Sequence, residues 1–330
     1  TFCSDDPLVV GIMSEGRLYG LGILQQNQRS LKFPFRSRKL FKTIHSFQSG
    51  ILLRNGITDE AIDIFLSELV ARGNASLSFS DHAMTTESAN KLFASAKRQN
   101  FHLYESRRYL RPILHLHDAL DEWQASRPKI FKEANRQRRR LAELGELDWR
   151  IILPGEITED IAETFLALEH DSWKGDGGTS LLSREQEAAF FRSLISKLVR
   201  SGEVFFTELR LDNSVIASTV NFMSRDVAFA YKIAWNKEYS RFGPGILNEV
   251  SFIEYAASNQ LPFTYIESGT NSESFIARIW PGRISMSTGY VIDGQLAKVA
   301  ASALATARRL VRPLPEIHAH NPTQATKTNS

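Results

Sequence analysis

A short turn between a predicted strand and a predicted helix has the residue types that bind an anion. The apolar strand Val227–Trp235 leads through Tyr239-Ser240-Arg241-Phe242-Gly243-Pro244-Gly245 into an amphipathic helical pattern. Glycine lets the backbone approach a ligand closely, proline presets a first helical turn, and the first N–H groups of a helix attract anions. The N–H groups of Ile246, Leu247 and Asn248 are therefore expected to point at a phosphate, unless the turn is only structural.

Three titratable side chains are candidates for a general base. Glu169 and His170 end one predicted helix, and Glu267 ends a predicted strand. A carboxylate or imidazole within hydrogen-bond reach of a reacting group can accept its proton. Each of the three could equally be a helix cap or a surface charge, so the choice among them stays open.

Composition bounds the class of protein. The chain has 330 residues, 42% apolar and 23% charged, which is typical of a soluble globular protein with room for two domains. A net charge of +3 does not indicate nonspecific nucleic-acid binding. The single cysteine, Cys3, excludes an internal disulfide and a cysteine-rich metal site, and indicates a reducing, cytoplasmic compartment.

Other patterns bear on membranes and metals. No apolar run reaches the roughly 18 to 20 residues that span a bilayer, and no secretion signal is apparent. A core-like strand begins at Pro7 in a chain without an initiator Met, so the natural N-terminus is expected to be missing. His115 and His117 would share one face of a strand, but no third ligand is spaced to complete a site, so no metal is predicted.

Helical and strand periodicities predict an α/β (α+β) chain in two parts. Residues 1–125 form an N-terminal domain that begins with a hairpin around Ser14-Glu15-Gly16, and residues 311–330 form a disordered tail. A basic connecting helix occupies residues 126–146; its apolar stripe is Ile130, Ala134, Leu141 and Leu144, and Gly145 ends it. Its cations could be a solvated face or could hold phosphates.

The C-terminal part, residues 147–310, has a distinctive order of elements. The predicted strands are 147–153, 203–210, 214–223, 227–235, 263–267 and 284–292, and the predicted helices are 159–170, 184–200, one after the glycine turn, and 271–280. This order resembles the GNAT acyltransferase superfamily. Ser172-Trp173-Lys174-Gly175, the strand from Ala228 to Trp235 and Gly243-Pro244-Gly245 resemble the CelD-type acyltransferases of bacterial cellulose and exopolysaccharide synthesis.

The resemblance implies a fold, a cofactor and a set of roles. The fold would be two tandem GNAT-like domains, as in Fem-type transferases, each with a mixed, largely antiparallel sheet flanked by helices. The co-substrate would be acyl-CoA, and the acceptor an amine or hydroxyl of a saccharide or lipid-linked precursor, on a side shaped by the N-terminal domain. Polysaccharide synthesis proteins are possible partners. The cofactor-binding residues would be Ile233, Ala234, Trp235, Arg241, Gly243, Gly245 and Ile246, with a splay or bulge near the first three exposing an N–H to the thioester carbonyl.

The acceptor side and the departures from the family complete the prediction. Trp173, Lys174 and Tyr231 would line the acceptor cleft under a Gly175–Thr179 lid, although Trp173 could be a core plug. Family members show a Tyr-Lys pair where this chain has Phe275-Ile276, so Arg278 or Lys232 would have to supply a cation. Two alternatives stay open. One is a Fem-type aminoacyl-tRNA-dependent transferase, although tRNA binding needs a larger cationic surface than the net charge of +3 suggests. The other is a catalytically silent binding module.

Overall fold

The computed structural model describes residues 7–27, 37–72, 76–116, 120–293, 298–299, 302–303 and 305–306, apart from the side chain of Trp173. Its strands are β1 (Leu8–Ser14), β2 (Arg17–Asn27), β3 (Ser37–Leu40), β4 (Ile51–Leu53), β5 (Ser76–Ala83), β6 (His102–His115), β7 (Leu147–Ile152), β8 (Val204–Leu211), β9 (Ser214–Ser224), β10 (Val227–Trp235), β11 (Tyr265–Glu267) and β12 (Gly282–Ile292). Its helices are α1 (Asp59–Arg72), α2 (Glu87–Arg98), α3 (Leu120–Ser126), α4 (Pro128–Ala142), α5 (Glu159–His170), α6 (Trp173–Asp176), α7 (Glu185–Ser201), α8 (Pro244–Ser258) and α9 (Ile276–Ile279). The predicted tail, 311–330, lies outside the described residues.

The described strands form a single mixed sheet. Its order is β1-β2-β3-β5-β12-β6-β11-β10-β9-β8-β7, with β4 paired to β2 beside this path. The pairs β3–β5 and β10–β11 are parallel, and the other neighbours are antiparallel. The predicted mixed, largely antiparallel sheet flanked by helices is therefore confirmed.

The last strand lies in the half of the sheet built by the N-terminal residues. β12 pairs along its length with β6 and also with β5, so it separates two strands that follow one another in the sequence. β6 in turn pairs with β11 and joins the two halves edge to edge. The domain boundaries at 125, 146 and 310 stay a prediction, but the sheet itself is continuous across them.

Helices cover both faces of the C-terminal half of the sheet. Neighbouring side chains on β8 point to opposite faces, because a strand alternates with a period of two. Phe205 packs in the cluster that contains residues of α8, whereas Phe206 packs in the cluster that contains residues of α5 and α7. The turn before α8 and the end of α5 therefore approach β10 from opposite sides.

The basic connection differs from its prediction in extent and in its buried face. It is two helices, α3 and α4, separated at Arg127, where Pro128 begins α4. The buried residues of α4 are Ala134, Gln137 and Leu141, while Leu144 is 49% exposed. The helix ends at Ala142, before the predicted stop at Gly145, so Leu144 leaves the helical face that the stripe assumed.

Candidate functional site

The neighbouring strands β10 and β11 part near the middle of β10. They pair in parallel at three positions only, the last being Phe229 with Glu267. β11 ends there, but β10 continues to Trp235 and keeps its pairing with β9. One backbone edge of residues 230–235 is thus left without a neighbouring strand in the described part of the chain, at the carboxyl ends of both strands. A divergence of this kind gives an extended ligand access to backbone groups.

A bulge accompanies this divergence, earlier than predicted. The register with β9 shifts between Ala230 and Lys232, so Tyr231 is the extra residue. Tyr231 and Lys232 consequently both reach the face covered by α5 and α7: Tyr231 packs in the cluster containing Phe191, and Lys232 contacts Glu169. A bulge at residues 233–235 is not found, since these residues pair with β9 in uninterrupted register, but they do lie where β10 has parted from β11.

The glycine turn has the predicted geometry but fewer free N–H groups. Gly243 has φ +62, and Pro244 begins α8 immediately after it. A side chain at Gly245 would come 3.2 Å from Trp235 Cε3, so the end of β10 packs directly against the turn. The N–H groups of Ile246 and Leu247 both donate to Gly243 O, at 2.9 and 3.0 Å. The expectation that these two N–H groups are unpaired is therefore wrong, because the first turn of α8 closes on itself.

Two arginines stand beside this turn. The Arg241 and Arg140 guanidinium groups lie over the Phe242 ring, 4.7 and 5.7 Å from its centre. Arg140 comes from the C-terminal end of α4, so the basic helix brings a second cation to the turn. Arg138, on the same helix, instead pairs with Glu254 on α8, at 2.6 Å. The basic run is thus divided between a helix-to-helix contact and a positive corner next to the turn.

Glu169 is the centre of a buried ion cluster. Its side chain has 0% exposure, and its Oε1 accepts from Lys232 Nζ at 2.9 Å and from Lys174 Nζ at 3.2 Å. Its Oε2 accepts from the Leu181 N–H at 2.9 Å, and Lys174 also donates to Ile233 O at 2.7 Å. Burial opposes ionisation, but the two lysines outweigh it and lower the pKa of Glu169. A carboxylate held in this way is a poor proton acceptor.

Glu267, the other predicted base, is also engaged. It is fully buried and forms an ion pair with Arg111, while Gln48 Nε2 donates to its Oε2 at 2.7 Å. Arg111 Nη2 donates to Tyr109 Oη at 2.7 Å, and Tyr109 donates to Asp81 at 2.9 Å. Burial raises the pKa of Glu267, but the Arg111 guanidinium beside it opposes that rise. Glu267 therefore joins the two halves of the sheet in a structural network.

The remaining predicted site residues do not come together in one site. His170 is exposed at the end of α5, where its Nδ1 shares a hydrogen bond of 2.9 Å with Ser180 Oγ. Trp173 begins α6, and Arg278 is exposed on α9. The predicted lid residues are tied locally: the Thr179 N–H donates to Lys174 O at 2.8 Å and the Gly178 N–H to Gly175 O at 3.0 Å. Of the two candidate replacement cations, only Lys232 lies in the ion cluster.

A residue that sequence reasoning did not place in the site lies at the bulge. His45 Nδ1 is 2.6 Å from Tyr231 Oη, and the His45 ring lies 4.6 Å from the Phe190 ring on α7. Burial lowers the pKa of His45, an effect that Glu187 opposes and Lys232 reinforces. His45 and Tyr231 are 186 residues apart, so no local pattern could have paired them.

His45 belongs to a segment that covers the end of the β10–β11 pair. We call residues 41–50, which connect β3 to β4, the covering segment. Its Phe47 ring packs 4.8 Å from Phe229, and its Gln48 holds Glu267. The N-terminal half therefore contributes side chains at the point where β10 and β11 part.

Neither a metal-ligand cluster nor a membrane-spanning helix occurs among the described residues. They contain no group of three or more His, Cys, Asp or Glu side chains arranged to hold a metal ion. His117, one of the pair considered above, lies outside them, and the His115 ring is 5.9 Å from that of Tyr265. None of the described helices combines the length and the apolar character needed to cross a membrane.

Comparison with protein families concerns the part of the chain that contains the turn and the bulge. Residues 128–275 match the model described as an acetyltransferase (GNAT) domain. This region is therefore similar to a GNAT domain, and it spans less than half of the chain. No curated protein matches the chain significantly. The matched region runs from the start of α4 to the residue before α9 and includes β10, the glycine turn, α8 and β11.

Solved structures share the fold of most of this chain. FemX is 11% identical with a TM-score of 0.55, and the match covers 90% of each chain. The C-terminal DUF2156 domain of a proposed lysylphosphatidylglycerol synthetase from Agrobacterium fabrum is 13% identical with a TM-score of 0.55, covering 92% of this chain and 88% of that one. A conserved protein of unknown function from Bacteroides thetaiotaomicron is 12% identical with a TM-score of 0.51, covering 83% and 85%. The likeness to FemX confirms the predicted GNAT-like fold.

Proposed function

We propose that this protein is an acyltransferase that moves an acyl group from acyl-CoA to an amine or hydroxyl of a saccharide or lipid-linked precursor. Its setting would be the cytoplasmic side of envelope or exopolysaccharide synthesis, with synthesis proteins as partners. The observation that carries the proposal is the parting of β10 from β11 next to the Gly243-Pro244-Gly245 turn, within the matched GNAT domain.

The residues of the turn fit the phosphates of acyl-CoA. Arg241 and Arg140 place two cations at the start of α8, and the helix N-terminus adds a partial positive charge. The open edge of β10 would accommodate the extended arm of the co-substrate beside residues 230–235. Ile233, Ala234 and Trp235 keep their proposed place in this wall, although the bulge precedes them.

The proposed reaction needs a proton acceptor near the bulge. The acceptor nucleophile attacks the thioester carbon, the carbon–sulfur bond breaks, and the nucleophile's proton finally returns to the CoA sulfur. Glu169 and Glu267 are held in ion pairs, so His45 is the better base, because its lowered pKa keeps the ring neutral near pH 7. Tyr231, which is hydrogen-bonded to His45, would pass the proton to the sulfur, since burial raises the pKa of the Tyr231 hydroxyl and keeps it protonated.

Co-substrate binding can be tested with a matched pair of variants at the turn. Valine at Gly243 or Gly245 would strain the backbone or press on Trp235, so Ile246, which is 40% exposed in the first turn of α8, is the cleaner site. Ile246→Glu places a negative charge where the phosphates would lie, yet an acidic residue suits a helix N-terminus and should not unfold it. Ile246→Gln has the same size without the charge.

The measurement is thermal unfolding with and without CoA, acetyl-CoA and longer acyl-CoAs. A ligand at about 100 times its dissociation constant stabilises by roughly 2.7 kcal/mol. We expect stabilisation of the wild type and of Ile246→Gln, and at least a tenfold loss of affinity in Ile246→Glu. Equal affinity in the two variants, or no stabilisation of the wild type by any acyl-CoA, would count against the proposal and favour the aminoacyl-tRNA alternative.

A second candidate function is a catalytically silent binding module. The engagement of both predicted carboxylates in ion pairs favours it, because neither is free to accept a proton. Acyl-CoA binding without turnover on a broad panel of amines and sugars would support this alternative. Turnover that depends on His45 would exclude it.

A further inference from the structure

The ion cluster around Glu169 carries more positive than negative charge. Two lysine ammonium groups, Lys174 and Lys232, share one oxygen of one carboxylate. The other charges nearby are already matched: Glu187 pairs with Arg184 at 2.9 Å, and Asp176 pairs with Lys237 at 3.2 Å. His45 lies beside Tyr231 at the bulge, and burial lowers its pKa, so it is uncharged near pH 7. With both lysines protonated, the cluster therefore has a net charge of about +1; burial lowers the pKa of Lys174, an effect that Glu169 opposes.

The lysines also have hydrogen-bonding capacity to spare. An ammonium group has three N–H donors. Among the described residues, Lys174 Nζ donates to Glu169 and to Ile233 O, and Lys232 Nζ donates to Glu169 alone. The pair thus makes three of six bonds with the protein. Unused donors on partly buried cations are costly unless water or a ligand accepts from them.

The cluster is buried at its base and reachable at its top. Glu169 has 0% side-chain exposure, whereas Lys174 and Lys232 have 15% and 20%. Lys232 follows the bulged Tyr231 on β10, so the ammonium pair lies on the α5 face of the strand. The glycine turn approaches β10 from the opposite face, as the division of Phe205 and Phe206 between two clusters shows. An anion bound by these lysines would be separate from one bound at the turn.

We propose that Lys174 and Lys232 form a subsite for a phosphoryl group. This inference rests on the proposed acyltransferase function in one respect: the phosphoryl group would belong to the acceptor and would hold its nucleophile beside Tyr231 and His45. Lysine is a compact point charge that suits the tetrahedral oxygens of a phosphate, whereas planar carboxylates are matched by the fork of arginine. The acceptor class would then be a phosphorylated saccharide or a lipid-linked phosphate.

The test measures anion binding directly. Thermal unfolding of the full chain is followed over a phosphate titration, with sodium chloride at matched ionic strength as the baseline and sodium acetate as a carboxylate comparison. Each titration is repeated with saturating acetyl-CoA, which would occupy the turn. The variants are Lys232→Gln, Lys174→Gln and the charge-preserving Lys232→Arg. The matched control is Lys197→Gln, an exposed lysine on α7.

The expected result is a phosphate-specific stabilisation that persists with acetyl-CoA. Its apparent affinity should fall at least tenfold in Lys232→Gln, be kept in large part by Lys232→Arg, and be unchanged in Lys197→Gln. If Lys232→Gln does not fold, Lys174→Gln decides in its place. Equal phosphate affinity in the wild type and the glutamine variant, loss of the effect with acetyl-CoA, or an equal response to acetate would each overturn the subsite.

The same titrations separate this proposal from the proposed function. Acetyl-CoA stabilisation without a lysine-dependent phosphate effect would refute the subsite and leave the acyltransferase proposal standing. A lysine-dependent phosphate effect without any acyl-CoA binding would refute the acyltransferase proposal alone.

Discussion

Replacing Glu249 with glutamine should stabilise the protein at alkaline pH and leave it nearly unchanged at acid pH. Glu249 lies on α8 one turn after Gly245 and is only 5% exposed. The Thr219 hydroxyl donates to its Oε1 at 3.2 Å. Burial raises the pKa of Glu249 from 4.5 to about 7, although Thr219 and the neighbouring Trp280 indole favour the charged form. The folded protein therefore holds the proton more tightly than the unfolded chain does.

The sign and size of the effect follow from this difference. Below the unfolded pKa of 4.5 both states are protonated, so Glu249 then imposes no charge penalty. Between pH 4.5 and 7 the unfolded chain loses the proton first, and the free energy of unfolding falls by about 1.4 kcal/mol per pH unit. The whole loss is about 3 kcal/mol, and it stays in full above pH 7 because the folded protein must then bury a charge.

Glutamine has the same shape but no charge to bury. Urea unfolding of the wild type and Glu249→Gln from pH 4 to 8.5 should show curves that nearly coincide at pH 4 and differ by about 3 kcal/mol at pH 8. Glu143→Gln, which removes an exposed glutamate, is the control for the loss of one surface charge. A difference between wild type and Glu249→Gln that is the same at every pH would refute the reasoning.

Two further perturbations test the network and the proposed base. Arg111→Met leaves the fully buried Glu267 without its guanidinium partner and should lower the free energy of unfolding, measured in urea, by about 3 to 5 kcal/mol. The double variant Arg111→Met/Glu267→Met should recover part of this lost stability. A double variant as unstable as the single one would contradict this view of the pair. His45→Gln should lower acyl transfer at least tenfold with acyl-CoA affinity unchanged. The wild-type rate should fall as the pH is lowered through the His45 pKa, which lies below 6.5, because the ring must be neutral to accept a proton. An identical pH profile in the variant would exclude His45 as the base.

Much of the fold is readable from local patterns. The hairpin of β1 and β2, the strand–turn–helix around Gly243 and the order of elements from β7 to β12 depend on periodicity and on glycine and proline, which act over a few residues. The same local reasoning failed where a backbone group had a partner nearby. The Ile246 N–H was expected to be free, but Gly243 O accepts from it.

The side-chain partners of the site depend on contacts that no local pattern encodes. Glu169 was a candidate general base because it ends a helix next to the Trp-Lys loop. Lys232, which is 63 residues away in the sequence, instead pairs with it in a buried ion cluster. Glu267 likewise meets Arg111 across 156 residues, since β6 and β11 pair in the sheet.

The sequence by itself determined most of the strands and helices between residues 147 and 292 and the turn that is expected to approach an anion, because backbone preferences and hydrophobic periods are local. Only the tertiary structure decided that β12 lies between β5 and β6 and that the covering segment brings His45 to Tyr231. It also decided which charges neutralise each other. Burial and pairing set the protonation state of a side chain, and both depend on neighbours that come together only when the chain has folded.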